Sequence, residues 1–338
     1  MLIEYGWTPE VATRLQDVLG PDTYPGRVVR VDRGSCLVIT EEESVDAAAA
    51  SALEGGGVAV GDWVAVRGDD RSGRMIVATA ERTSAIVRRD PSPSNNRDQV
   101  LAANLDNAFI LYRLDRKLRM AVLERYLVLI WDSGAAPVIV LSKADLVSPD
   151  ERDATIREVE RSAAGVPVIA LSSITGAGTE DLRQFTQPGS SVAVVGESGV
   201  GKSTLVNRLV GAELLDTGPT RAGDGKGRHT TSHREMVPIG DGAVLIDTPG
   251  LRSVGLAVAG EGIGNVFGDV EDLFQYCKFR DCSHDSEPGC AVQAAIEHGV
   301  LDARRFESYQ KLLQEQERIA QRKAAVAKRA ERNRSRRS

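Results

Sequence analysis

The chain has 338 residues, of which 42% are hydrophobic and 27% charged, so it is long enough for two or three domains with their own cores. Its net charge of −6 is uneven, because residues 318–338 carry nine Lys or Arg and one acidic residue, which places about −14 on the rest. The basic end predicts an anionic partner, whereas the absence of an apolar leader and of long uncharged stretches argues against export and membrane insertion, so we expect a cytoplasmic protein.

Short apolar segments separated by Gly and Asp turns dominate residues 26–82. They predict strands at 27–31, 36–40, 58–60, 63–68 and 75–80. Short strands at close spacing indicate a small antiparallel β-barrel of the OB type, although the pattern is equally typical of a β-sandwich fragment. We expect residues 1–88 to form an N-terminal region with this barrel, and the polar, proline-containing residues 89–99 to be a linker.

Apolar strands alternate with helical segments over residues 100–258, which predicts an α/β domain with a largely parallel sheet. Residues 259–338 contain a Cys/His segment and a long helix from about residue 302. Phe306, Tyr309 and Leu313 give that helix an apolar face. Its strongly basic end is expected to be disordered when free.

The segment GESGVGKST follows the apolar strand SVAVVG and fits the phosphate-loop pattern G-x-x-x-x-G-K-[ST]. In such loops glycines let backbone N–H groups surround the phosphates. Lys202 is predicted to reach the β- and γ-phosphates, and Ser203 to ligate Mg²⁺. The candidate phosphate-binding residues are Gly196, Glu197, Ser198, Gly199, Val200, Gly201, Lys202, Ser203 and Thr204.

A second phosphate-side motif is AVLIDTPG at 243–250, an apolar strand that ends in Asp247. An acidic residue at this point holds Mg²⁺ through water, and the N–H of Gly250 can contact the γ-phosphate. Together with the phosphate loop, this motif predicts a nucleoside triphosphatase site.

The strand VIVL is followed by Ser142, Lys143, Ala144 and Asp145, a candidate base-reading loop. The carboxylate of Asp145 could accept hydrogen bonds from guanine N1–H and the 2-amino group, which adenine does not offer as a pair. A second strand end, at Ser172 and Ser173, is predicted to lie at the same sheet edge and to contact the guanine O6. Both base loops precede the phosphate loop, so the motif order is circularly permuted, which compact domains tolerate.

These motifs, the small barrel and the spacing C-x4-C-x-H-x5-C together resemble the bacterial ribosome-small-subunit-dependent GTPase family over about residues 25–315. The stretches that carry the resemblance are AANLDNAFIL, ERYLVLIWDSGAAPVIVLSKADL, GRHTTSHREM, IDTPGLRS and CKFRDCSHDSEPGCAV. The resemblance implies a GTPase that acts in late maturation of the small (30S) ribosomal subunit, is stimulated by the subunit, and is released after hydrolysis. The family usually has Asn or Thr where this chain has Ser142, which implies weaker nucleotide affinity with unchanged base choice.

Leu251 occupies the position where many GTPases carry a water-orienting Gln, and a leucine cannot hydrogen-bond water. Another group must act, and GRHTTSHREM at 227–236 lies where switch I belongs. Thr230 or Thr231 could ligate Mg²⁺, and His229 could orient the attacking water. The resemblance implies a catalytic His229; by position alone it could equally be a solvated loop histidine. Because this region is rich in Gly and Pro, we expect slow hydrolysis until a partner orders it.

Three of the four cysteines cluster late in the chain, which in a reducing compartment favours a metal over a disulfide. Cys277, Cys282, His284 and Cys290 predict one structural zinc, four-coordinate and closed. The alternative is three free cysteines and a chance histidine. Cys36 lies in a strand pattern and is expected in a core.

Two other function classes remain open. An RNA-binding module with a passive nucleotide domain would bind RNA regardless of nucleotide, and a P-loop kinase would transfer phosphate to a small molecule. The basic end and the barrel predict RNA as a partner. The resemblance implies that this RNA is the rRNA of the small ribosomal subunit, besides GTP and GDP as nucleotide ligands. Nothing in the sequence demands a dimer, so we expect a monomer.

Overall fold

We describe the fold from a computed structural model, in which the described residues are 1–50, 57–88, 99–212, 235–240, 242–247 and 262–335. The chain forms two compact units, one of residues 1–118 with 133–255 and one of 119–132 with 256–338. The division into domains after residues 88, 99 and 258 stays a prediction.

The N-terminal part of the first unit contains a closed five-stranded barrel. Its strands are β1 (Thr23–Val31), β2 (Cys36–Ile39), β3 (Ser44–Ala49), β4 (Trp63–Arg67) and β5 (Met75–Thr79). The order is β1-β2-β3-β5-β4, and β4 pairs back with β1. All neighbours are antiparallel except β3 and β5. A ring with an odd number of strands cannot alternate direction throughout. The prediction of a purely antiparallel barrel is therefore wrong for the β3–β5 pair. That the barrel is of the OB type stays a prediction.

The barrel encloses small apolar side chains from alternate strand positions. Its interior residues are Val28, Cys36, Val38, Val45, Ala47, Val64, Val66 and Ile76. Sequence analysis missed β3, because its outward positions are polar or small and only Val45 and Ala47 face the core. The predicted strand at 58–60 is instead limited to an isolated bridge between Val60 and Ala102.

Two N-terminal elements precede the barrel, a 3-10 helix at Leu2–Tyr5 and helix α1 at Pro9–Gln16. Arg27 of β1 ties this end to the rest of the unit. Its guanidinium is buried, donates to the backbone oxygen of Tyr5 and to Ser191 Oγ at 2.6 Å, and lies 4.6 Å from the ring centre of Trp63. Burial lowers the pKa of Arg27 to about 9, which leaves the group charged at neutral pH. A buried charge needs these partners to be tolerated.

The α/β part of the first unit continues the barrel sheet. Its strands are β6 (Ala85–Arg88), β7 (Gln99–Ala103), β8 (Asn107–Arg113), β9 (Ala136–Ser142), β10 (Val168–Ala170), β11 (Ser191–Gly196), β12 (Glu235–Ile239) and β13 (Ala243–Asp247). Strands β6 and β7 form a separate hairpin. The others follow the order β10-β9-β8-β11-β13-β12, where the first five are parallel and β12 is antiparallel to β13 and pairs with β1. The predicted parallel sheet is confirmed.

Three helices lie between these strands in sequence: α2 (Met120–Ser133), α3 (Pro149–Ser162) and α4 (Lys202–Val210). Helix α3 begins with a capping box in which Ser148 and Glu151 satisfy each other's backbone N–H groups. The buried core around α4 and the sheet is built mainly of branched aliphatic residues with Phe109. Its members include Val138, Val140, Val192, Val194, Leu205 and Leu245. This core fixes the sheet edge at which the strands end.

The second unit is helical and contains α2 together with α5 (Gly262–Glu271), α6 (Ala291–Glu297) and α7 (Ala303–Ser335). Arg305 of α7 holds it together by contacts to Glu124 at 2.9 Å and Asp269 at 2.6 Å. On α7 the apolar face consists of Phe306, Tyr309 and Leu312, since the predicted Leu313 is only half-buried.

Helix α7 continues to Ser335, into the segment that we expected to be disordered. Of the helices in the described part of the chain, none is both long and apolar enough to cross a bilayer.

Candidate functional site

The phosphate loop connects the C-terminal end of β11 to the first turn of α4, as its sequence predicts. Gly196 and Gly201 have φ angles of 142° and 96°, and a Cβ at Gly196 would lie 2.6 Å from the backbone oxygen of Leu111. These positions therefore require glycine. The Lys202 ammonium donates to the carbonyl oxygens of Gly196 at 2.8 Å and Glu197 at 2.7 Å. The positive charge thus lies within the loop and at a helix N-terminus, where a phosphate would bind.

The first base loop is joined directly to the phosphate loop through Ser142. Its buried hydroxyl lies 2.7 Å from the Val200 carbonyl oxygen and 3.2 Å from that of Tyr112. A hydroxyl has one hydrogen to donate, and the shorter contact identifies Val200 as its main acceptor. Lys143 follows with a φ of 62°, and Asp145 is exposed at the start of the loop beyond the strand. Within the described residues this exposed carboxylate has no hydrogen-bond or ion-pair partner, so it can serve a ligand.

The second base loop is a tight turn after β10. The Ser172 side chain is buried, and its oxygen accepts from the Thr175 backbone N–H at 3.1 Å. Ser172 thus builds the turn, which leaves Ser173 as the more accessible of the two predicted contacts. Arg208 of α4 lies over this turn, at 3.3 Å from the Ile174 carbonyl oxygen and 3.4 Å from that of Thr175. The helix that carries the phosphate loop therefore also supports the second base loop.

Parallel pairing brings these loops to one sheet edge. Strand β9 pairs in parallel with β8 and β10, and β11 with β8 and β13. Asp247 ends β13 opposite Val194 of β11, so its backbone lies at the edge that bears the phosphate loop. In open α/β sheets this carboxyl edge is where ligands bind.

Other predicted residues lie outside the described part of the chain. They are His229, Thr230, Thr231 and Gly250, and the Asp247 side chain is not described either. Their roles, and the nucleotide contacts assigned to the loops above, stay predictions.

The four predicted metal ligands come together in the second unit. The candidate ligand atoms of Cys277, Cys282, His284 and Cys290 all lie within 4.8 Å of one another. His284 Nδ1 is 3.5 Å from Cys277 Sγ and 3.7 Å from Cys290 Sγ. Tetrahedral zinc with bonds of about 2.3 Å to sulfur and about 2.0 Å to nitrogen needs a sulfur–nitrogen separation of about 3.5 Å. The donor set and its spacing therefore fit a zinc ion.

The surroundings of His284 hold its ring ready for a metal. The residue adopts a φ of 61°, its ring stacks on Phe274 at 4.1 Å, and its carbonyl oxygen accepts from Gln293 at 2.7 Å. Burial lowers the pKa of His284, which favours the neutral imidazole that ligates metals. Glu287 organises the loop, because its carboxylate accepts the Ser283 backbone N–H at 2.9 Å.

Sequence reasoning missed the supporting residues of both sites. Arg208 and Phe274 belong to no motif, and only their positions in the fold reveal them. A weak signal existed for Arg208, since an arginine near the end of a phosphate-loop helix can reach a neighbouring strand end.

This arrangement is that of a GTPase whose motifs are circularly permuted. The family model described as RsgA GTPase matches residues 79–257. A relative from Streptomyces coelicolor, "Small ribosomal subunit biogenesis GTPase RsgA", is 43% identical over 97% of this chain and 90% of its own length. A relative from Lactiplantibacillus plantarum, "Small ribosomal subunit biogenesis GTPase RsgA 2", is 41% identical over 93% of this chain and 89% of its own length.

Solved structures share the fold. YjeQ from Thermotoga maritima matches with a TM-score of 0.60 and 24% identity, covering 87% of this chain and 98% of its own. YloQ, described as a circularly permuted GTPase, matches with a TM-score of 0.59 and 22% identity over 88% of this chain and 96% of its own. The chain belongs to the RsgA GTPase family and is a GTP-hydrolysing enzyme.

Proposed function

We propose that this enzyme acts in the cytoplasm in late maturation of the small ribosomal subunit, that the subunit stimulates its GTP hydrolysis, and that hydrolysis releases it. The observation that carries the proposal is the 43% identity over 97% of the chain to a protein named for small-subunit biogenesis. We further propose a monomer that contacts ribosomal RNA.

The geometry supports GTP as the substrate. The phosphates would enter the phosphate loop, where Lys202 would exchange its carbonyl partners for the β- and γ-phosphate oxygens. The exposed carboxylate of Asp145 would accept the two guanine hydrogen bonds, while Ser142 keeps the base loop at a fixed distance from the phosphates. A site of this kind rejects ATP because its carboxylate would be left unpaired.

For hydrolysis, His229 would orient the attacking water in place of the missing glutamine. Mg²⁺, held by Ser203, by Thr230 or Thr231 and through water by Asp247, would supply charge neutralisation at the β- and γ-phosphates. Gly250 would donate its N–H to the γ-phosphate. Because Leu251 offers no hydrogen bond, we expect slow hydrolysis without the subunit.

The proposed structural zinc supports an RNA-facing surface. Beside its ligands, Tyr276 and Phe279 are 71% and 43% exposed, and Lys278 lies 5.4 Å from the Phe279 ring centre. Arg280 is exposed next to them. Exposed aromatic rings alternating with cations suit unpaired bases and phosphates, because bases stack on rings while the cations pair with the backbone.

Phosphate release from GTP and from ATP, with and without purified small subunits, tests this proposal. We expect hydrolysis of GTP but not of ATP, and strong stimulation of GTP hydrolysis by the subunit. His229→Ala should lose the stimulated hydrolysis. A rate of GTP hydrolysis that is the same with and without the subunit would contradict the ribosomal role. Subunit binding that does not depend on the bound nucleotide would contradict release coupled to hydrolysis.

A second arm of the experiment addresses the aromatic surface. Tyr276→Ala should weaken subunit binding by about tenfold while leaving hydrolysis by the free protein unchanged, since one stacked base contributes about 1–3 kcal/mol. The matched control is Val300→Ala, because Val300 is 79% exposed in the same unit and has no ring. Equal effects of the two variants would argue against stacking.

A further inference from the structure

Two charged residues beside the first base loop, Arg113 and Asp115, have no part in the site described above. Asp115 follows the end of β8, and both of its carboxylate oxygens accept from the guanidinium of Arg113. On its other side, the Lys143 ammonium lies 3.9 Å from Asp115 Oδ2. All three side chains are largely shielded from solvent, with exposures of 20% for Arg113, 19% for Asp115 and 28% for Lys143.

This group lies where the base loop and the phosphate loop meet. Arg113 pairs with Ser142 in the register of β8 and β9, one residue before Lys143. The Arg113 guanidinium is also near the phosphate loop, since a Cβ added at Gly199 would lie 3.9 Å from its Nη1. The carboxylate of Asp115 is therefore fixed relative to both loops.

We infer that Asp115, oriented by Arg113, is a positioning residue that holds the Lys143 side chain for guanine recognition. The left-handed backbone of Lys143 fixes where the side chain starts, and Asp115 fixes where it ends. The methylene stem of Lys143 between these two points would then lie against the plane of the guanine base. The inference rests on the proposed base loop at 142–145.

An isolated surface ion pair would carry little weight, because such pairs contribute little to stability. Two features distinguish the Arg113–Asp115 pair from an isolated surface ion pair. The Arg113–Asp115 contact is bidentate, which restricts the carboxylate to one orientation. The Arg113 guanidinium keeps the pKa of Asp115 below its usual value, with a smaller contribution from Lys143, so the carboxylate is ionised throughout the neutral range.

The test compares wild type, Asp115→Asn, Lys143→Met and the double variant in steady-state GTP hydrolysis. Because hydrolysis by the free protein is expected to be slow, KM approximates the dissociation constant of GTP. We expect Asp115→Asn to raise KM about threefold to tenfold with kcat within twofold of wild type, since a change of 1.36 kcal/mol corresponds to a factor of ten. The double variant should be no worse than Lys143→Met alone, and Asp115→Glu should recover part of the loss.

Controls separate this inference from the proposals on which it rests. Asp150→Asn removes an exposed carboxylate in the first turn of α3 and should leave KM unchanged. Asp145→Ala tests the base loop itself, and a normal KM there would overturn the base-loop assignment. A raised KM in Asp145→Ala with a normal KM in Asp115→Asn would overturn only the role of Asp115. An equal fall in kcat and kcat/KM, which leaves KM unchanged, or additive effects with Lys143→Met would also overturn it.

Discussion

The hydroxyl of Ser142, at the end of β9, lies 2.7 Å from the carbonyl oxygen of Val200 in the phosphate loop. The two residues are 58 positions apart in sequence, and both are buried. This hydrogen bond therefore joins the loop proposed to read the base to the loop proposed to hold the phosphates. Ser142 therefore bridges the two loops, although its side chain is shorter than the Asn that is common at this position in the family.

Ser142→Ala should weaken GDP binding by about fivefold, because it removes a net hydrogen bond of about 1 kcal/mol and leaves a buried carbonyl without its donor. Titration with a fluorescent GDP analogue measures the change. Ser142→Thr keeps the hydroxyl and serves as the control. Wild-type affinity in Ser142→Ala would show that the loops keep their distance without this bond.

Arg208→Ala should loosen the second base loop. The guanidinium lies 3.3 to 3.5 Å from the carbonyl oxygens of residues 173–175, and these contacts would be lost. We expect faster amide hydrogen exchange in residues 172–177 and GDP affinity lower by about twofold to fivefold, in keeping with exposed charged contacts. Arg183→Ala, which breaks an exposed pair with Glu180, is the control. Unchanged exchange in Arg208→Ala would contradict the supporting role.

Metal analysis of the purified protein should find about one zinc per chain, and Cys290→Ser should reduce this severely, since structural zinc sites require all four ligands. Chelation should lower the thermal stability of the second unit. The matched control is Cys36→Val, because Cys36 is a buried cysteine of the barrel. Zinc content that is equal in the two variants would argue against the predicted ligand set.

Cys36 also predicts a pH dependence of stability. Burial, together with the charges of Asp32 and Asp62, raises the pKa of the Cys36 thiol to about 11. The pKa of a cysteine thiol in an unfolded chain is about 8.5, so the fold favours the neutral form. The resulting stability is complete below about pH 8.5 and is lost as the pH rises toward 11. Urea unfolding of the barrel at pH 8 and pH 10 should show a smaller loss in Cys36→Val, and identical losses would contradict this.

The sequence by itself determined which residues are candidates for the chemistry of this protein. The phosphate loop, Asp247, the S-K-A-D segment and the four candidate metal ligands could be predicted because each motif requires particular residue types at short, fixed spacing. The parallel sheet followed from alternating apolar strands and helices. The permuted order of the motifs was also readable, since order is a property of the chain and needs no coordinates.

Only the tertiary structure decided which distant residues support these motifs. Ser142 and Val200, Arg208 and the turn at 173–175, and Asp115 and Lys143 are brought together by strand pairing across many intervening residues. The single parallel pair of the barrel and the position of α2 in the second unit are likewise consequences of closure and packing. A motif fixes local chemistry. Long-range contacts depend on the order and register in which the strands pair, and no local sequence pattern encodes these.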